Sequence, residues 1–350
     1  MKKKNNLYQG NFEKLENNDS KRVYIKMSGE QNKKRINFLT FLISYKCTNE
    51  CKHCAIPGSP NQDNILMELA DVKRYLEDVT ANYIVNEVGF FGGEPLLHLD
   101  LLISLIKEVK TYDISKIGLP TNGYWGKDFS IAKKYAQKLK EAGLNTLGFS
   151  VDTFHQEFVP IEVVKRAIKA AHEAGIENIY SITQNLGSEN INNPFDEQNK
   201  KLTEVISKEF EFCQIINSVL QVKGRAVKNL AKYYTINTIP SDKCLIFKVP
   251  MFMIDPYGWV FHQLCHGICI GNAKQNFLSD IIRDFNYRKH PIIGKVVAKG
   301  GPQNLLEIAI EKGYKPLEGY ADKCHLCFSA RNFLRPFYPN ILEPPNLYSS

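Results

Sequence analysis

Eight residues near the start of the chain, Cys47 to Cys54, contain three cysteines in the spacing Cys-x3-Cys-x2-Cys. Thiolates are the ligands of iron–sulfur clusters, and a cubane normally takes four of them. Three thiolates from one loop would leave one iron open, as a catalytic metal requires, whereas structural sites are closed. A zinc site completed by a fourth ligand from elsewhere is the alternative, with His53 as a nearby candidate. The sequence therefore predicts a metal centre held by Cys47, Cys51 and Cys54.

The last third of the chain contains a second group of cysteines. Cys244 and Cys265 are separate, while Cys324 and Cys327 form a Cys-x2-Cys pair. The chain has nine cysteines, an odd number placed in clusters, which favours metal ligation over disulfides in a reducing compartment. Together these four residues predict a closed four-thiolate site, which either zinc or an iron–sulfur cluster would satisfy.

A glycine-rich turn, Gly92-Gly93-Glu94-Pro95, follows the second predicted strand. Glycines let the backbone approach a bound ligand where any Cβ would collide. The Glu94 carboxylate would suit the amino group of such a ligand. Ligands of parallel α/β sheets bind at the carboxyl ends of strands, so this position favours a binding site over an ordinary turn.

Alternating apolar and amphipathic segments predict repeated strand–helix units and hence a parallel sheet. The predicted strands are residues 36–44, 84–91, 115–119, 144–151, 178–183 and 213–222, and the predicted helices are near 66–80, 97–110, 131–142, 160–174 and 202–210, with a polar insert at 185–200. Six such units fit a partial (β/α)6 barrel better than a closed eightfold one. The predicted fold class is therefore α/β, a partial barrel followed by a smaller irregular domain.

Length and composition set the limits of this interpretation. The chain has 350 residues, of which 43% are hydrophobic and 23% charged, so extended disorder and coiled-coil or collagen-like folds are excluded. We expect an N-terminal extension at residues 1–35, the barrel at 36–230 and an irregular domain at 231–350, with one clear helix near 303–312.

Positive charge is concentrated in the extension. Residues 1–35 hold ten basic and four acidic residues, which is +6 of the total net charge of +8. No apolar segment of a signal peptide follows, and no apolar run approaches the ~20 residues of a membrane span. We therefore expect a cytoplasmic protein without membrane contact. The extension is interpreted as a solvated arm that could guide an acidic peptide, and nucleic acid is not an expected partner.

The two front motifs together resemble the radical S-adenosylmethionine (radical SAM) superfamily, over roughly residues 36–230. Supporting matches are Thr121-Asn122-Gly123, Ser150 with Asp152, Gly224-Arg225-Ala226, and His53 where the family usually has an aromatic residue. The resemblance implies a 4Fe–4S cluster whose open iron is chelated by SAM. It also implies reductive cleavage of SAM to a 5′-deoxyadenosyl radical, which removes a hydrogen atom from substrate.

The resemblance also implies roles for individual residues. Gly92, Gly93 and Glu94 would hold the methionine amino end of SAM, Ser150 and Asp152 would lie near the ribose, and His53 near the adenine. Thr121 and Asn122 are further candidates, although Asn-Gly is also a common turn signal. Arg225 could pair with the SAM carboxylate, with an acidic substrate, or in a surface salt bridge.

The rear cysteines resemble the auxiliary-cluster domain of this superfamily, called SPASM, or its shortened twitch form. The matching features are Asp255-Pro256-Tyr257-Gly258 before Cys265, Ile270-Gly271-Asn272 after Cys269, and the terminal Cys-x2-Cys. The full SPASM domain has seven cysteines for two clusters, whereas this region has five. The resemblance therefore implies one auxiliary 4Fe–4S cluster bound by Cys244, Cys265, Cys324 and Cys327. Cys269 could replace Cys265.

Cys213 and Cys269 are otherwise free, and free cysteines usually behave as small buried hydrophobes. The alternative is that one of them donates a hydrogen atom to a substrate radical, as epimerases of the superfamily require. We expect Cys213 to be the better candidate.

Three functions remain open. The first is modification of a ribosomally made peptide or protein residue by crosslinking, epimerisation or oxidation. The second is small-molecule dehydrogenation or C–C bond formation on an amino acid or amino sugar, and the third is a non-catalytic zinc or cluster module. The enzymes would need a flavodoxin- or ferredoxin-type reductant, and peptide modification could need a separate leader-peptide recognition protein.

Overall fold

A computed structural model describes residues 33–187, 193–234 and 239–348. The basic residues 1–32 of the predicted extension lie outside this description. The strands are β1 (Lys34–Ile36), β2 (Phe38–Leu42), β3 (Tyr83–Val85), β4 (Glu87–Phe91), β5 (Lys116–Thr121), β6 (Thr146–Ser150), β7 (Asn178–Asn185), β8 (Gln214–Val219), β9 (Met251–Ile254), β10 (Trp259–His262) and β11 (Cys265–Asn272). The α-helices are α1 (Leu69–Asn82), α2 (Leu99–Val109), α3 (Phe129–Ala142), α4 (Thr153–Gln156), α5 (Ile161–Glu173), α6 (Pro194–Glu209), α7 (Arg225–Asn229), α8 (Leu278–Asp284), α9 (Ile293–Val297), α10 (Gln303–Glu311) and α11 (Lys323–Leu334).

Nine strands form one sheet in the order β11-β10-β9-β2-β4-β5-β6-β7-β8. The six strands from β2 to β8 in this order pair in parallel, with helices in the connections between them. Within the described chain, the outermost strands β8 and β11 do not pair, so the barrel is not closed. The predicted α/β class and six-unit partial barrel are confirmed. The predicted strands 36–44 and 84–91 are each divided, because β1 and β3 form a separate two-stranded sheet.

Local sequence signals explain where the barrel helices begin and end. The Asp128 carboxylate accepts a hydrogen bond from Ile131 N at 2.9 Å, so α3 has an N-cap. Gly143 ends α3 with φ of 110°, a conformation that favours glycine. Helix α6 begins eight residues earlier than predicted, because the Asn193 side chain caps it and Pro194 follows. Part of the predicted polar insert is therefore helical.

The rear third of the chain continues the barrel sheet. Strand β9 pairs in parallel with β2, and β10 and β11 follow as antiparallel neighbours. This region was predicted to be irregular with one clear helix, but it contains three strands and helices α8 to α11. The proposed boundary near residue 230 does not coincide with a break in the sheet.

The two largest of four apolar clusters in the described chain organise most of the interior. The first lies between the parallel strands and the barrel helices, and includes Phe41, Phe90 and Phe149. The second joins Leu42 and Tyr45 to rear residues, which include Met253, Phe261, Phe328 and Leu334. Because the second cluster begins just before the front cysteine loop, packing of the rear region helps to fix that loop.

No helix in the described ranges is both long and apolar enough to cross a membrane. The longest described helix, α6, has 16 residues and carries many charges. A bilayer span needs about 20 mainly apolar residues.

Candidate active site

The front cysteine loop follows β2 at the carboxyl edge of the sheet. Cys47 N donates to Ser59 O at 3.1 Å, and Cys54 N donates to Cys51 O at 3.1 Å, so the loop is folded back on itself. The Cys54 thiol donates to Ile56 O within the same loop. Cys51 is buried and Cys47 and Cys54 are partly buried. The loop thus holds three thiols in a sheltered position where ligands of parallel sheets bind.

Burial keeps these thiols protonated in the absence of a metal. It raises the pKa of Cys47 to about 12, with a further contribution from the negative charge of Glu94. Burial also raises the pKa values of Cys51 and Cys54, and each thiolate would repel the next. Metal ligation requires thiolates, so loading of this site must release protons.

The two glycines of the turn after β4 serve the packing of the cysteine loop. A Cβ on Gly92 would lie 2.6 Å from Ser44 O, and one on Gly93 would lie 2.1 Å from Lys46 O. Gly93 N donates to Ser44 O at 2.8 Å, and Glu94 N donates to Lys46 O at 3.0 Å. These glycines were predicted from the sequence to let the backbone approach a bound ligand closely. In the structure the close approach is to the backbone that leads into the loop.

The Glu94 carboxylate is buried and accepts three hydrogen bonds. Thr121 Oγ1 donates to Oε1 at 2.8 Å, Leu96 N donates to Oε1 at 3.1 Å, and Asn122 N donates to Oε2 at 2.8 Å. Burial raises the pKa of Glu94 to about 7, although these donors act in the opposite direction. The carboxylate therefore ties the turn after β4 to the end of β5, and a further donor could still approach Oε2.

Asn122 connects β5 to the cysteine loop. Its side-chain amide donates to Thr48 Oγ1 at 2.8 Å and lies 3.9 Å from Cys47 Sγ. Thr121 Oγ1 also accepts from Trp125 Nε1 at 3.2 Å. The predicted site residues Thr121 and Asn122 thus lie beside the loop. Sequence reasoning missed Thr48, since a threonine between ligands carries no separate signal.

Asp152, His155 and His53 form a buried polar group beside Cys51. Asp152 Oδ1 lies 2.9 Å from His155 Nδ1 and accepts from His155 N at 3.0 Å. Burial opposes ionisation of Asp152, but the neighbouring histidines lower its pKa to about 2. The His53 ring packs on the Phe154 ring, with the two ring centroids 4.8 Å apart. Burial lowers the pKa of His53 to about 4.

Three ligand atoms of this group, from Cys51, His53 and His155, lie within 4.8 Å of one another. His53 and Asp152 were predicted as site residues from the sequence. The contact of His155 with Asp152 depends on the short helix α4. Ser150, the last residue of β6, lies two residues before Asp152 at the same edge.

Arg225 braces the cysteine loop. Its Nε donates to Cys51 O at 3.0 Å, and Nη2 donates to Gly58 O at 2.7 Å. Nη1 lies 3.8 Å from the Glu50 carboxylate. These guanidinium donors are directed at the loop, and a contact of Arg225 with the SAM carboxylate or an acidic substrate stays a prediction.

Cys213 is the one predicted catalytic residue that the structure does not bring to this edge. It precedes β8 at the amino end of the strand, whereas the cysteine loop follows the carboxyl end of β2 in a parallel sheet. Its side chain is buried in the cluster that includes Ile206 and Phe210. The position favours the alternative that Cys213 is a small core hydrophobe, and hydrogen-atom donation by Cys213 stays a prediction.

The four rear thiols converge although they come from three segments. Burial raises the pKa of Cys244 to about 12, with further contributions from the charges of Cys265 and Cys324. The pKa of Cys327 is also raised to about 12 by burial, and Cys265 and Cys244 add to the effect. Helix α11 carries Cys324 and Cys327 one turn apart. These mutual effects require the thiols to be close neighbours.

Cys269 and Arg331 complete the description of the rear site. The Cys269 thiol donates to Glu343 O at 3.3 Å. Burial raises the pKa of Cys269, and the charges that affect this pKa are those of Asp255, Glu343 and Arg331 rather than those of the four thiols. Arg331 is buried, and its charge lowers the pKa of Cys327. Sequence reasoning missed this arginine, although it lies four residues after Cys327 on one helix face.

A parallel partial barrel with a three-cysteine loop at its carboxyl edge defines a class of protein. Comparison with known proteins leads to the same class. Residues 41–193 match the family model of the radical SAM superfamily. Over these residues, which are a little under half of the chain, the chain is similar to that superfamily. This family implies a 4Fe–4S cluster and SAM as cofactors.

Among similar proteins, the probable GTP 3′,8-cyclase of Methanococcus aeolicus is 36% identical over 157 residues, which are 42% of this chain and 49% of that protein. The putative peptide biosynthesis protein YydG of Bacillus subtilis is 26% identical over 124 residues, which are 35% of this chain and 38% of that protein. The chain thus spans about half the length, or less, of these relatives.

A solved structure of anSMEcpe with bound AdoMet is similar to this chain with a TM-score of 0.51 and 16% identity. The match covers 86% of this chain and 96% of that one. At this identity the similarity establishes the fold alone, and it extends into the rear region.

The residues at the carboxyl edge fit the cofactors that the family implies. Three thiols from one loop match a cluster with one open iron. Buried polar atoms without a hydrogen-bond partner also lie here, namely Asp152 Oδ2 and His53 Nδ1. Buried polar groups are normally paired, so these atoms fit a site that a polar ligand completes.

Proposed function

We propose that the chain is a radical SAM enzyme that modifies a residue of a ribosomally made peptide or protein by crosslinking, epimerisation or oxidation. When bound, the 4Fe–4S cluster and SAM supply a 5′-deoxyadenosyl radical that takes a hydrogen atom from substrate. The observation that most directly supports this proposal is the three-thiol loop, which packs against the buried Glu94 turn at the carboxyl edge of a parallel sheet.

The residues of the chain would bind, orient and shield the reacting groups. Cys47, Cys51 and Cys54 would ligate three irons and leave the fourth for the amino and carboxylate groups of SAM. The free acceptor position of Glu94 suits the amino group. The partnerless Asp152 oxygen suits a ribose hydroxyl, and the buried His53 ring suits the adenine. A primary radical must meet one substrate hydrogen and no water, so orientation and exclusion of water are the main work of the protein.

SAM cleavage tests this proposal directly. Wild-type enzyme, reconstituted anaerobically with iron and sulfide and then reduced, should form 5′-deoxyadenosine from SAM. Cys54→Ala should abolish product formation and lower the iron content. Cys213→Ala is the matched control, because it also removes a buried thiol but at the opposite edge, and it should keep both. A fully iron-loaded wild-type enzyme that forms no 5′-deoxyadenosine would refute the proposed chemistry.

A single zinc ion at the front site is the competing explanation. Cys51, His53 and His155 have the spacing for it, but it would not use Cys47 or Cys54. This alternative predicts one zinc ion that His155→Ala releases and that Cys47→Ala does not. Elemental analysis of the protein as purified under anaerobic conditions separates the two cases.

We further propose that Cys244, Cys265, Cys324 and Cys327 hold one auxiliary 4Fe–4S cluster. Each of these thiols affects the pKa of another member of the group, which supports one common site for the four. The resemblance to the auxiliary-cluster domain favours an iron–sulfur cluster over zinc at that site.

An auxiliary cluster would suit oxidation of the substrate. After loss of a hydrogen atom, a substrate radical must lose one more electron to become a closed-shell oxidised product. The rear site could accept that electron and pass it to a flavodoxin- or ferredoxin-type protein. Turnover that is unchanged in a folded Cys324→Ala variant would exclude this relay.

Similarity to YydG favours a peptide substrate, whereas the higher identity to the probable GTP 3′,8-cyclase favours a small-molecule reaction as the second candidate. Two incubations of the reconstituted enzyme separate them, one with GTP and one with a short peptide encoded beside this gene. The peptide proposal predicts loss of hydrogen from the peptide, or uptake of solvent deuterium into it, in step with 5′-deoxyadenosine formation. A cyclised GTP product with an unchanged peptide would establish the second candidate.

A further inference from the structure

A groove of about 570 Å³ lies between the segment 224–232 and the rear helix α11. Its lining includes Val227, Lys228, Lys232, Tyr314, Leu317 and Phe333. A smaller depression of about 170 Å³ is lined in part by Lys52, Phe195 and Tyr233. Lys228 and Lys232 line both, so they form a basic ridge between two concave surfaces. We call the larger one the lysine-rimmed groove.

The charge of this ridge is not neutralised by the described part of the chain. Lys228 and Lys232 are exposed, and no carboxylate of the described residues lies within 4.0 Å of either ammonium. The Lys232 ammonium lies 5.3 Å from the centre of the Tyr233 ring. Lys52 differs, because its Nζ pairs with Glu157 at 2.7 Å. The ridge therefore favours a negatively charged ligand.

The floor of the groove is apolar. Leu317 is 48% exposed, and Tyr314 and Phe333 are partly exposed beside it. Exposed apolar side chains grouped in a concave surface mark interaction sites more often than scattered ones do. The volume also falls within the range of about 300–1,000 Å³ that is typical of ligand pockets.

The groove lies where the two cysteine-bearing parts of the chain meet. On one side is helix α7, whose Arg225 donates to Cys51 O in the front loop. On the other side is helix α11, which carries Cys324 and Cys327. The Asp322 carboxylate joins the two sides by accepting from Val222 N at 3.0 Å. A ligand here would contact the supports of both candidate metal sites without filling the barrel.

We propose that the lysine-rimmed groove binds an acidic peptide segment with apolar side chains, namely a part of the peptide substrate distant from the modified residue. This inference rests on the proposed peptide-modifying function and adds the place and the chemistry of recognition. Carboxylates of the peptide would pair with Lys228 and Lys232, and its apolar side chains would cover Leu317 and Phe333. A concave apolar floor accepts protruding side chains of a peptide better than the surface of a folded acidic electron carrier.

Fluorescence anisotropy with a labelled synthetic peptide of repeated Glu-Leu-Glu-Glu-Phe units tests the proposal on the full-length, reconstituted enzyme. We expect saturable binding that weakens with added salt, and Lys228→Glu/Lys232→Glu should raise the Kd by about tenfold or more. Leu317→Gln should also weaken binding, because it removes apolar contact without a change of charge. Lys127→Glu/Lys134→Glu is the matched control, with two exposed lysines that also lack a carboxylate within 4.0 Å among the described residues. Its Kd should stay within about twofold of wild type.

Iron content and circular dichroism show whether each variant is folded, and Lys228→Gln/Lys232→Gln is a milder replacement if charge reversal is not tolerated. Equal affinity of wild type and the Lys228/Lys232 variants would overturn the proposal. So would slower reduction by flavodoxin with unchanged peptide affinity, which would assign the ridge to an electron carrier. Peptide binding does not require SAM chemistry, so failure of 5′-deoxyadenosine formation would refute the proposed function without affecting this test.

Discussion

Glu94 is the residue on which most contacts of the front site converge. Its buried carboxylate accepts from two backbone amides and one hydroxyl, which join the turn after β4 to the end of β5. Burial alone would favour the neutral acid, and the pKa of about 7 reflects that cost. Each donor that is lost must therefore raise the free energy of the ionised form.

Thr121→Val should destabilise the protein, because it removes one of the three donors and leaves Trp125 Nε1 without its acceptor. We expect the free energy of unfolding to fall by about 1.5–3 kcal/mol, as for hydrogen bonds to charged groups. The affinity for SAM should fall as well, since Glu94 would be held less firmly. Urea denaturation and equilibrium dialysis with SAM measure the two effects.

Thr111→Val is the control for that substitution. Its hydroxyl also donates to an oxygen, Glu108 O at 2.8 Å, but the residue is exposed. We expect the free energy of unfolding to change by about 0.5 kcal/mol or less. Equal losses in the two variants would contradict the special role of the Glu94 contacts.

At this scale the sequence predicts residues whose chemistry is local. The cysteine spacing places three thiols on one loop before any tertiary contact is known, and the Glu94 turn follows directly from its position after a strand. Arg225 and Cys213 could not be assigned in this way. The direction of the Arg225 donors depends on how α7 meets the loop, and the distance of Cys213 from the site depends on which end of β8 it occupies.

At the scale of elements, helix α11 is held to the barrel by the residue that caps it. Asp322 Oδ1 accepts from His325 N at 2.7 Å, while Oδ2 accepts from Val222 N at the end of the barrel. One carboxylate thus fixes both the start of the helix and its distance from the barrel. The helix in turn carries two of the four rear thiols.

Asp322→Ala should lower the iron content of the rear site as well as stability. Loss of an N-cap lowers the free energy of unfolding by about 0.5–2 kcal/mol. Because the contact with Val222 N is lost as well, we expect a decrease near the upper end of that range. Asp128→Ala, which removes the N-cap of α3, should cost stability without loss of iron. Iron analysis and thermal unfolding of both variants check this, and equal iron contents would contradict it.

The turn between β9 and β10 contains a carboxylate whose titration should affect stability. Asp255 Oδ1 accepts from Tyr257 N and Trp259 N, and Oδ2 accepts from Tyr45 OH at 2.9 Å. Burial raises its pKa from the ordinary 3.8 to about 7. The folded state therefore holds this proton more tightly than the unfolded chain, so the stability contribution falls as pH rises between these values.

Asp255→Asn should reduce this dependence, because the amide does not titrate and can still bond to all three partners. We expect the Tm of the wild type to fall more than that of the variant between pH 5 and pH 7.5, measured by differential scanning calorimetry on the same buffers. Asp100→Asn, at an exposed carboxylate, should leave the wild-type dependence intact. Parallel curves for wild type and Asp255→Asn would refute the assignment.

Element predictions succeeded where the periodicity was strong. Helices α3 and α5 each have one apolar face and clear end signals, and both were predicted from the sequence. Helix α6 was predicted too short because its first half is mostly polar. Strands β9 to β11 were missed because β9 joins the sheet beside β2, which lies about two hundred residues earlier in the chain.

At the scale of the whole molecule, the two cysteine groups lie on different supports. The front loop is braced by Arg225 and Asn122, whereas the rear thiols are supplied by a loop, β11 and α11. No described hydrogen bond joins a front cysteine to a rear one. Each site should therefore load on its own thiols, although packing of the rear region helps to fix the front loop.

Reconstituted wild type should contain about eight irons per chain, and Cys47→Ser and Cys324→Ser about four each, as expected for two 4Fe–4S clusters. Only Cys47→Ser should abolish formation of 5′-deoxyadenosine. Cys213→Ser should match wild type in both measurements. Loss of all iron in either cysteine variant would contradict independent loading.

Strand β2 lies between β4 and β9, so one of its edges stays uncovered until the segment near residue 250 has left the ribosome. An uncovered edge strand is a template for pairing with other chains. Nascent chains that stall, or fragments cut near residue 235, should therefore associate through β2. The last third of the sequence would then protect β2 from pairing with other chains, because it supplies β9.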